Sequence, residues 1–223
     1  METKRKKEVL DYLFQFVTEN KKEKIANLVL QRTRHVTVVL EDIFQSHNAS
    51  AIIRSAECFG IQDVHVIEKQ NIFSPVNTVA KGAAKWINFK KYKKTGSCLE
   101  SLKKDGYKII ATTAEKKAHL LHELPIDQKI ALVFGTESTG LSDEAINLAD
   151  EFVTIPMYGF TESFNVSVSV AICLYDLISR LRNSDIDWRL SDGEILDTKL
   201  AWARAVLPNA RLFEERFLLK KSE

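Results

Sequence analysis

Three stretches of this 223-residue chain combine residue types that can do chemistry. HNASAIIRSAECFG sets Asn48 at its start and Arg54 almost two helical turns on. FGTESTGLS encloses one acid, Glu137, between Gly135 and Gly140. MYGFTESFNVSVSV crowds Thr161, Glu162, Ser163, Asn165 and Ser167 against the start of an apolar run. A guanidinium can hold a phosphate or a developing oxyanion through paired N–H donors. Each group also has a plain structural reading. Asn48 and Asn165 suit helix N-caps, Arg54 suits an ion pair on its own helix, and the two glycines suit tight turns. Singly they decide nothing, but three polar loops in one chain point to a ligand.

Several chemistries are excluded. Gly135 and Gly140 have the spacing of a phosphate loop, but Leu141 stands where its lysine should be. No GxGxxG fingerprint and no HExxH pair occurs. Cys58, Cys98 and Cys173 are odd in number and far apart, which argues against disulfides and against a CxxC metal site. They read as small core hydrophobes in a reducing compartment. No metal is expected. No apolar run approaches the ~20 residues that cross a bilayer, and the charged start METKRKKEVLDYLF shows no secretory signal. The expected setting is cytoplasmic, with no membrane partner.

Net charge is only +2, yet the cations are clustered. Lys4, Arg5, Lys6 and Lys7 open the chain, and Arg32, Arg34 and His35 follow. The run KGAAKWINFKKYKK holds Lys81, Lys85, Lys90, Lys91, Lys93 and Lys94 without an acid, interleaved with Trp86, Phe89 and Tyr92. Such local basic surface suits a polyanionic partner, although many charge runs are only solvated faces.

The elements that must position these groups fall into three parts: 1–35, 36–182 and 183–223. Val9, Leu10, Leu13, Phe14 and Val17, then Ile25, Leu28 and Val29, recur at helical spacing and predict two helices. From Val36 short β-branched runs alternate with helical segments. Strands are predicted at 37–40, 64–67, 86–89, 107–112, 129–134 and 152–156. Helices are predicted over 48–59 and 96–104, from Ser142, and after Asn165. This alternation predicts an α/β fold, a mostly parallel sheet with helices on both faces. The last part is polar, then helical, and reads as a tail with Trp202, Val206 and Leu207 on one stripe. Ligands of such sheets sit beyond the carboxyl ends of the strands, where the three polar stretches fall.

NASAIIRSAECFG, ALVFGTESTGLS and VTIPMYGFTESFNVSVSVAICLYDL, in this order and spacing, resemble the motifs of the SpoU-type RNA 2′-O-ribose methyltransferases. The resemblance spans about Val36 to Arg182. It implies a deep carboxy-terminal trefoil knot, S-adenosylmethionine as cofactor, and a homodimer whose active site uses both subunits. It makes Arg54 the catalytic arginine and Asn48 the residue that shapes its loop. Glu137 supports knot and pocket, while Ser163 and Asn165 stand beside cofactor and ribose. Thr112, Thr113, Ala114, Phe134, Gly135, Gly140, Ile155, Met157 and Phe164 would surround the cofactor, with Phe164 in place of the usual leucine. A guanidinium resists losing its proton. Arg54 is therefore expected to pair with an RNA phosphate and stabilise the forming alkoxide.

Two short basic helices ahead of the catalytic part and a helical tail behind it resemble the branch that acts on guanosine 18 of the tRNA D loop. Lys4, Arg5, Lys6, Lys7, Arg32, Arg34, His35, His47, Arg180 and Arg182 are the expected phosphate contacts. A ribosomal RNA target for the same chemistry, and a non-catalytic RNA-binding protein on this fold, are the alternatives.

Overall fold

The computed structural model describes residues 2–75, 80, 82–113, 118–136 and 139–220. Lys81, Ala114 and Glu137, all singled out above, lie outside the described residues. In chain order the elements begin with α1 (Thr3–Phe14), α2 (Glu19–Val29), β1 (Val36–Glu41), α3 (Ser46–Cys58) and β2 (Asp63–Ile67). A 3₁₀ turn (Ala83–Trp86) then precedes β3 (Asn88–Tyr92), α4 (Thr95–Lys104), β4 (Tyr107–Thr112) and β5 (His119–Leu120). After β6 (Lys129–Phe134) come α5 (Asp143–Leu148), β7 (Glu151–Thr154), α6 (Val166–Arg182), α7 (Asp192–Val206) and α8 (Ala210–Lys220). These form two compact units, residues 33–188 and residues 1–32 with 189–223.

The larger unit is a seven-stranded sheet in the order β3-β2-β1-β6-β4-β7-β5. Every pairing is parallel. Period-2 alternation explains its layers. Val36, Val38, Leu40, Ile110, Ile130, Leu132 and Phe134 join one core with residues of α3 and α6. Val39, Ile109, Ala131 and Val133 face the other way and pack with Cys98, Leu99, Leu102 and Ala145 of α4 and α5. Helices thus cover both faces, and β1, apolar on both sides, lies buried along its whole length.

Three sequence expectations are corrected here. The third strand begins at Asn88, not Trp86, because Gly82 at φ 79° starts a 3₁₀ turn through Trp86. The lysine-rich run therefore falls partly on an edge strand, where exposed lysines also discourage edge-to-edge pairing. Lys91 and Lys93 pair with Glu68 at 2.7 and 3.2 Å. Second, α3 starts at Ser46 with Gln45 as N-cap, so Asn48 lies in its first turn and is not the cap. Third, Cys58 is exposed, whereas Cys98 and Cys173 are buried, their thiols pushed up to about 12 by that burial.

The smaller unit brings together the two ends of the chain. Val9, Leu10 and Leu13 of α1 pack against Leu196, Leu200 and Ala203 of α7. Ser191 and Glu194 form a capping box that fixes where α7 starts. No helix among the described residues is long and apolar enough to cross a membrane.

Candidate active site

Beyond the carboxyl ends of β4, β6 and β7 lies a cavity of about 800 Å³, within the range of small-molecule sites. Thr112 and Thr113 reach it from β4, Phe134, Gly135 and Thr136 from β6, and Thr154, Ile155 and Met157 from β7. The loop into α6 closes it with Glu162, Ser163, Phe164 and Asn165. Gly140 and Leu141 form the wall opposite. Thr136 and Gly140 exchange backbone hydrogen bonds at 3.0 and 3.1 Å, with Gly140 at φ 70°. That turn lays Gly140 against Gly135 so closely that a Cβ on Gly135 would sit 2.1 Å from its backbone. Only glycine fits there. Among the described lining residues there is no lysine, arginine or histidine, and Glu162 is the one acid. Such a wall favours a ligand with a positive charge over an anion.

Asn165 answers both readings given to it. As N-cap of α6 its Oδ1 accepts from the Ser167 amide at 2.9 Å and the Ser167 hydroxyl at 2.6 Å. Its Nδ2 donates to Asn48 Oδ1 at 3.1 Å, and Asn48 Nδ2 donates to Gln45 Oε1 at 3.2 Å. The first and third polar stretches, 117 residues apart, thus meet through two asparagine side chains.

A buried carboxylate that sequence reading passed over braces the opposite wall. Glu41, 2% exposed at the end of β1, accepts from Thr95 Oγ1 at 2.5 Å and Ser142 Oγ at 2.7 Å, and from the Ser142 amide at 2.9 Å. Lys69 Nζ lies 2.9 Å away. Burial alone raises this carboxyl. The hydrogen bonds from Lys69, Ser142 and Thr95 outweigh burial and hold the group below the usual carboxylate value. Since Ser142 is the N-cap of α5, Glu41 anchors the loop that carries Gly140 and Leu141. An acid closing the otherwise apolar run VTVVLE was the available signal. Gln45, Thr139 and Glu162 also line the cavity and were not assigned.

Of the predicted cofactor contacts, Thr112, Thr113, Phe134, Gly135, Gly140, Ile155, Met157 and Phe164 all line the cavity, as do Ser163 and Asn165. Arg54 does not. It is exposed and makes no hydrogen bond or ion pair among the described residues. Among the described residues, its guanidinium is thus not part of the cavity wall within one copy of the chain. The cause is helical phase: six residues past Asn48 is about 240° around α3. With Asn48 turned toward Asn165, Arg54 faces elsewhere.

The basic residues divide. Lys4, Arg5, Lys7, His47 and Arg182 are exposed, although Arg182 lies 4.9 Å over the Trp188 ring. Lys6 pairs with Asp197 at 2.5 Å. Four of the expected phosphate contacts make internal interactions. Arg32 is 3% exposed and stacks on Trp202. Arg34 forks onto Asp63 at 2.7 and 3.4 Å. His35 donates Nε2–H to the Ile126 carbonyl at 2.8 Å. Arg180 binds Asp176 and the carbonyls of Leu124 and Leu121. No cluster of three or more His, Cys, Asp or Glu able to hold a metal occurs among the described residues.

Comparison with known proteins agrees with this geometry. A tRNA (guanosine(18)-2′-O)-methyltransferase of Borreliella burgdorferi is 48% identical over 202 residues, 91% of this chain and 93% of that protein. A protein of the same name from Escherichia coli K12 is 32% identical, covering 72% of this chain and 70% of its own. The crystal structure of the A. aeolicus TrmH/SpoU tRNA modifying enzyme superposes with a TM-score of 0.77 at 27% identity. That match covers 85% of this chain and 98% of the other. Residues 35–175 match the SpoU rRNA methylase family, and they contain the whole cavity with its Asn48–Asn165 bridge; the chain belongs to this family.

Proposed function

We propose that the protein transfers a methyl group from S-adenosylmethionine to the ribose 2′-hydroxyl of guanosine 18 in tRNA. The observation that carries the chemistry is the cavity beyond β4, β6 and β7, whose described wall lacks cations, has one acid, and borders Ser163 and Asn165. The tRNA target is supported by the names of the two relatives, one of them similar along 91% of this chain.

When bound, S-adenosylmethionine supplies a methyl already activated by its sulfonium charge. The chain's own residues do the rest. Backbone groups at Thr112, Thr113, Phe134, Gly135, Gly140, Ile155 and Met157 hold the cofactor, and Phe164 packs on it. Glu162 offsets the cofactor's positive charge. Ser163 and Asn165 orient the ribose so that its hydroxyl lies in line with the methyl, the alignment on which such a displacement depends.

Arg54 acts across a homodimer. Its exposed guanidinium on one copy reaches the ribose at the site of the second, pairs with the adjacent RNA phosphate and stabilises the developing alkoxide. The outer faces of α3 and α6 supply the contact, with Val168 and Tyr175 exposed on α6. The polypeptide around the cavity forms the family's trefoil knot. Lys4, Arg5, Lys7, His47 and Arg182 are left as the phosphate surface, and a tRNA substrate sets the enzyme in the cytoplasm. The residue range 1–35 serves as a basic RNA-binding extension of the catalytic range 36–182, and 183–223 is a helical tail.

Purified protein incubated with labelled S-adenosylmethionine and separate pools of unmodified tRNA and ribosomal RNA tests this reading. Label is expected in tRNA. Incorporation into ribosomal RNA alone overturns the target, and incorporation into neither overturns the reaction.

A further inference from the structure

A second cavity, about 420 Å³, adjoins the first. Its walls include Tyr158 and Thr161, and it shares Met157, Ser163, Phe164 and Asn165 with the larger one. Tyr158 is 96% exposed and Phe160 109%. Neither ring is stacked on another among the described residues. Two aromatic rings flanking Gly159 wholly in solvent forgo the burial that large apolar side chains normally gain, so they mark a surface made to be covered. No lysine or arginine lines this cavity among the described residues, so holding a phosphate is not its role.

We infer that the second cavity seats the target nucleoside itself. Its base, drawn out of the RNA stack, lies on the Tyr158 ring, and Phe160 covers the neighbouring base. Extrusion brings the attached ribose over Ser163 and Asn165, the polar residues shared by the two cavities. The methyl donor lies on one side of them and the acceptor sugar on the other. Every base has a π face, so stacking on a ring holds an extruded nucleoside without sequence readout. This inference rests on the RNA 2′-O-methylation reading and adds where the acceptor binds.

The test compares wild type with Tyr158→Ala, Tyr158→Phe and Phe160→Ala. Methyl transfer is measured on unmodified tRNA transcript, cofactor affinity by calorimetry, and subunit state by sedimentation. A tRNA bearing 2-aminopurine at the target position reports the base directly. Loss of one stacked base by alanine substitution predicts a fall of roughly 10- to 100-fold in kcat/KM for tRNA. Tyr158→Ala should show that fall with an unchanged cofactor Kd and an unchanged subunit state, and Tyr158→Phe should restore activity. 2-Aminopurine should be quenched on binding wild type and Tyr158→Phe, and stay bright with Tyr158→Ala. Equal kcat/KM and equal quenching for Tyr158→Ala overturn the inference while leaving methylation intact. An activity loss explained by dissociation of subunits also overturns it, since Tyr158 would then be a protein contact. Absence of transfer by wild type instead defeats the functional reading beneath it.

Discussion

Asn165 has two separable jobs, and substitution can divide them. Asn165→Ala removes the cap on Ser167, which costs about 1 kcal/mol. It also removes the 3.1 Å bond to Asn48, worth about 1 kcal/mol net. The total is about 2 kcal/mol, or roughly 4–8 °C in Tm for a unit of this size. Asn165→Ser keeps a capping oxygen but cannot reach Asn48, so it should lose about half as much. Thermal unfolding followed by circular dichroism measures both. A cycle of Asn48→Ala, Asn165→Ser and the double variant isolates the link and should give a coupling of about 1 kcal/mol. Methyl transfer should fall further than stability in Asn165→Ser, because in the proposed reaction this cavity-lining side chain also orients the ribose. Additive effects, within about 0.3 kcal/mol, would refute the claim that the two loops are energetically joined.

Other substitutions probe the cavity walls and the acid limb. Gly135→Ala puts a methyl 2.1 Å from the Gly140 backbone. It should abolish cofactor binding by calorimetry or prevent folding, and wild-type affinity would show that the turn opens freely. Glu162→Gln should weaken binding of S-adenosylmethionine several-fold more than that of the neutral thioether S-adenosylhomocysteine, and equal weakening would remove Glu162 as charge partner. Burial, then the charge of Lys90, lowers His65 to about 4 from an ordinary 6.5. Above 6.5 the imidazole is neutral folded and unfolded and contributes nothing to pH dependence. Below it the unfolded chain takes up the proton first, so stability falls by about 1.4 kcal/mol per pH unit, reaching roughly 3 kcal/mol at pH 4. His65→Phe should flatten that part of the Tm–pH curve, and an unchanged slope would place the acid sensitivity in the carboxylates.

Much of the sheet was legible because burial on both faces leaves a plain mark. Thr37 to Leu40 and Lys129 to Phe134 are short runs dominated by apolar residues, and the strands lie where those runs do. Part of the cavity wall was legible in the polar loops after β6 and β7, whereas Thr112 and Thr113 after β4 came only from the family resemblance. What stayed hidden depends on distance or phase. Trp86-Ile87-Asn88-Phe89 alternates like a strand, and the shift to Asn88–Tyr92 is set by the turn at Gly82 and by pairing with β2. β5 is two residues long and too short to leave a period. Glu41 gains its role only when Lys69, Thr95 and Ser142, from three other segments, close on it. Arg54 reads as a neighbour of Asn48 along the chain, but the rotation of α3 separates them. Arg32 and Arg180 read as surface cations until Trp202 and the Leu124 carbonyl are brought to them.

The most direct measurement is the chemical position of the transferred methyl. Unmodified tRNA transcript is methylated by the purified protein, digested to nucleosides and analysed by mass spectrometry, with alkaline hydrolysis mapping the protected linkage. The account predicts 2′-O-methylguanosine, with protection at guanosine 18 alone. A methyl on a base, or a ribose methyl elsewhere in the tRNA, would contradict it.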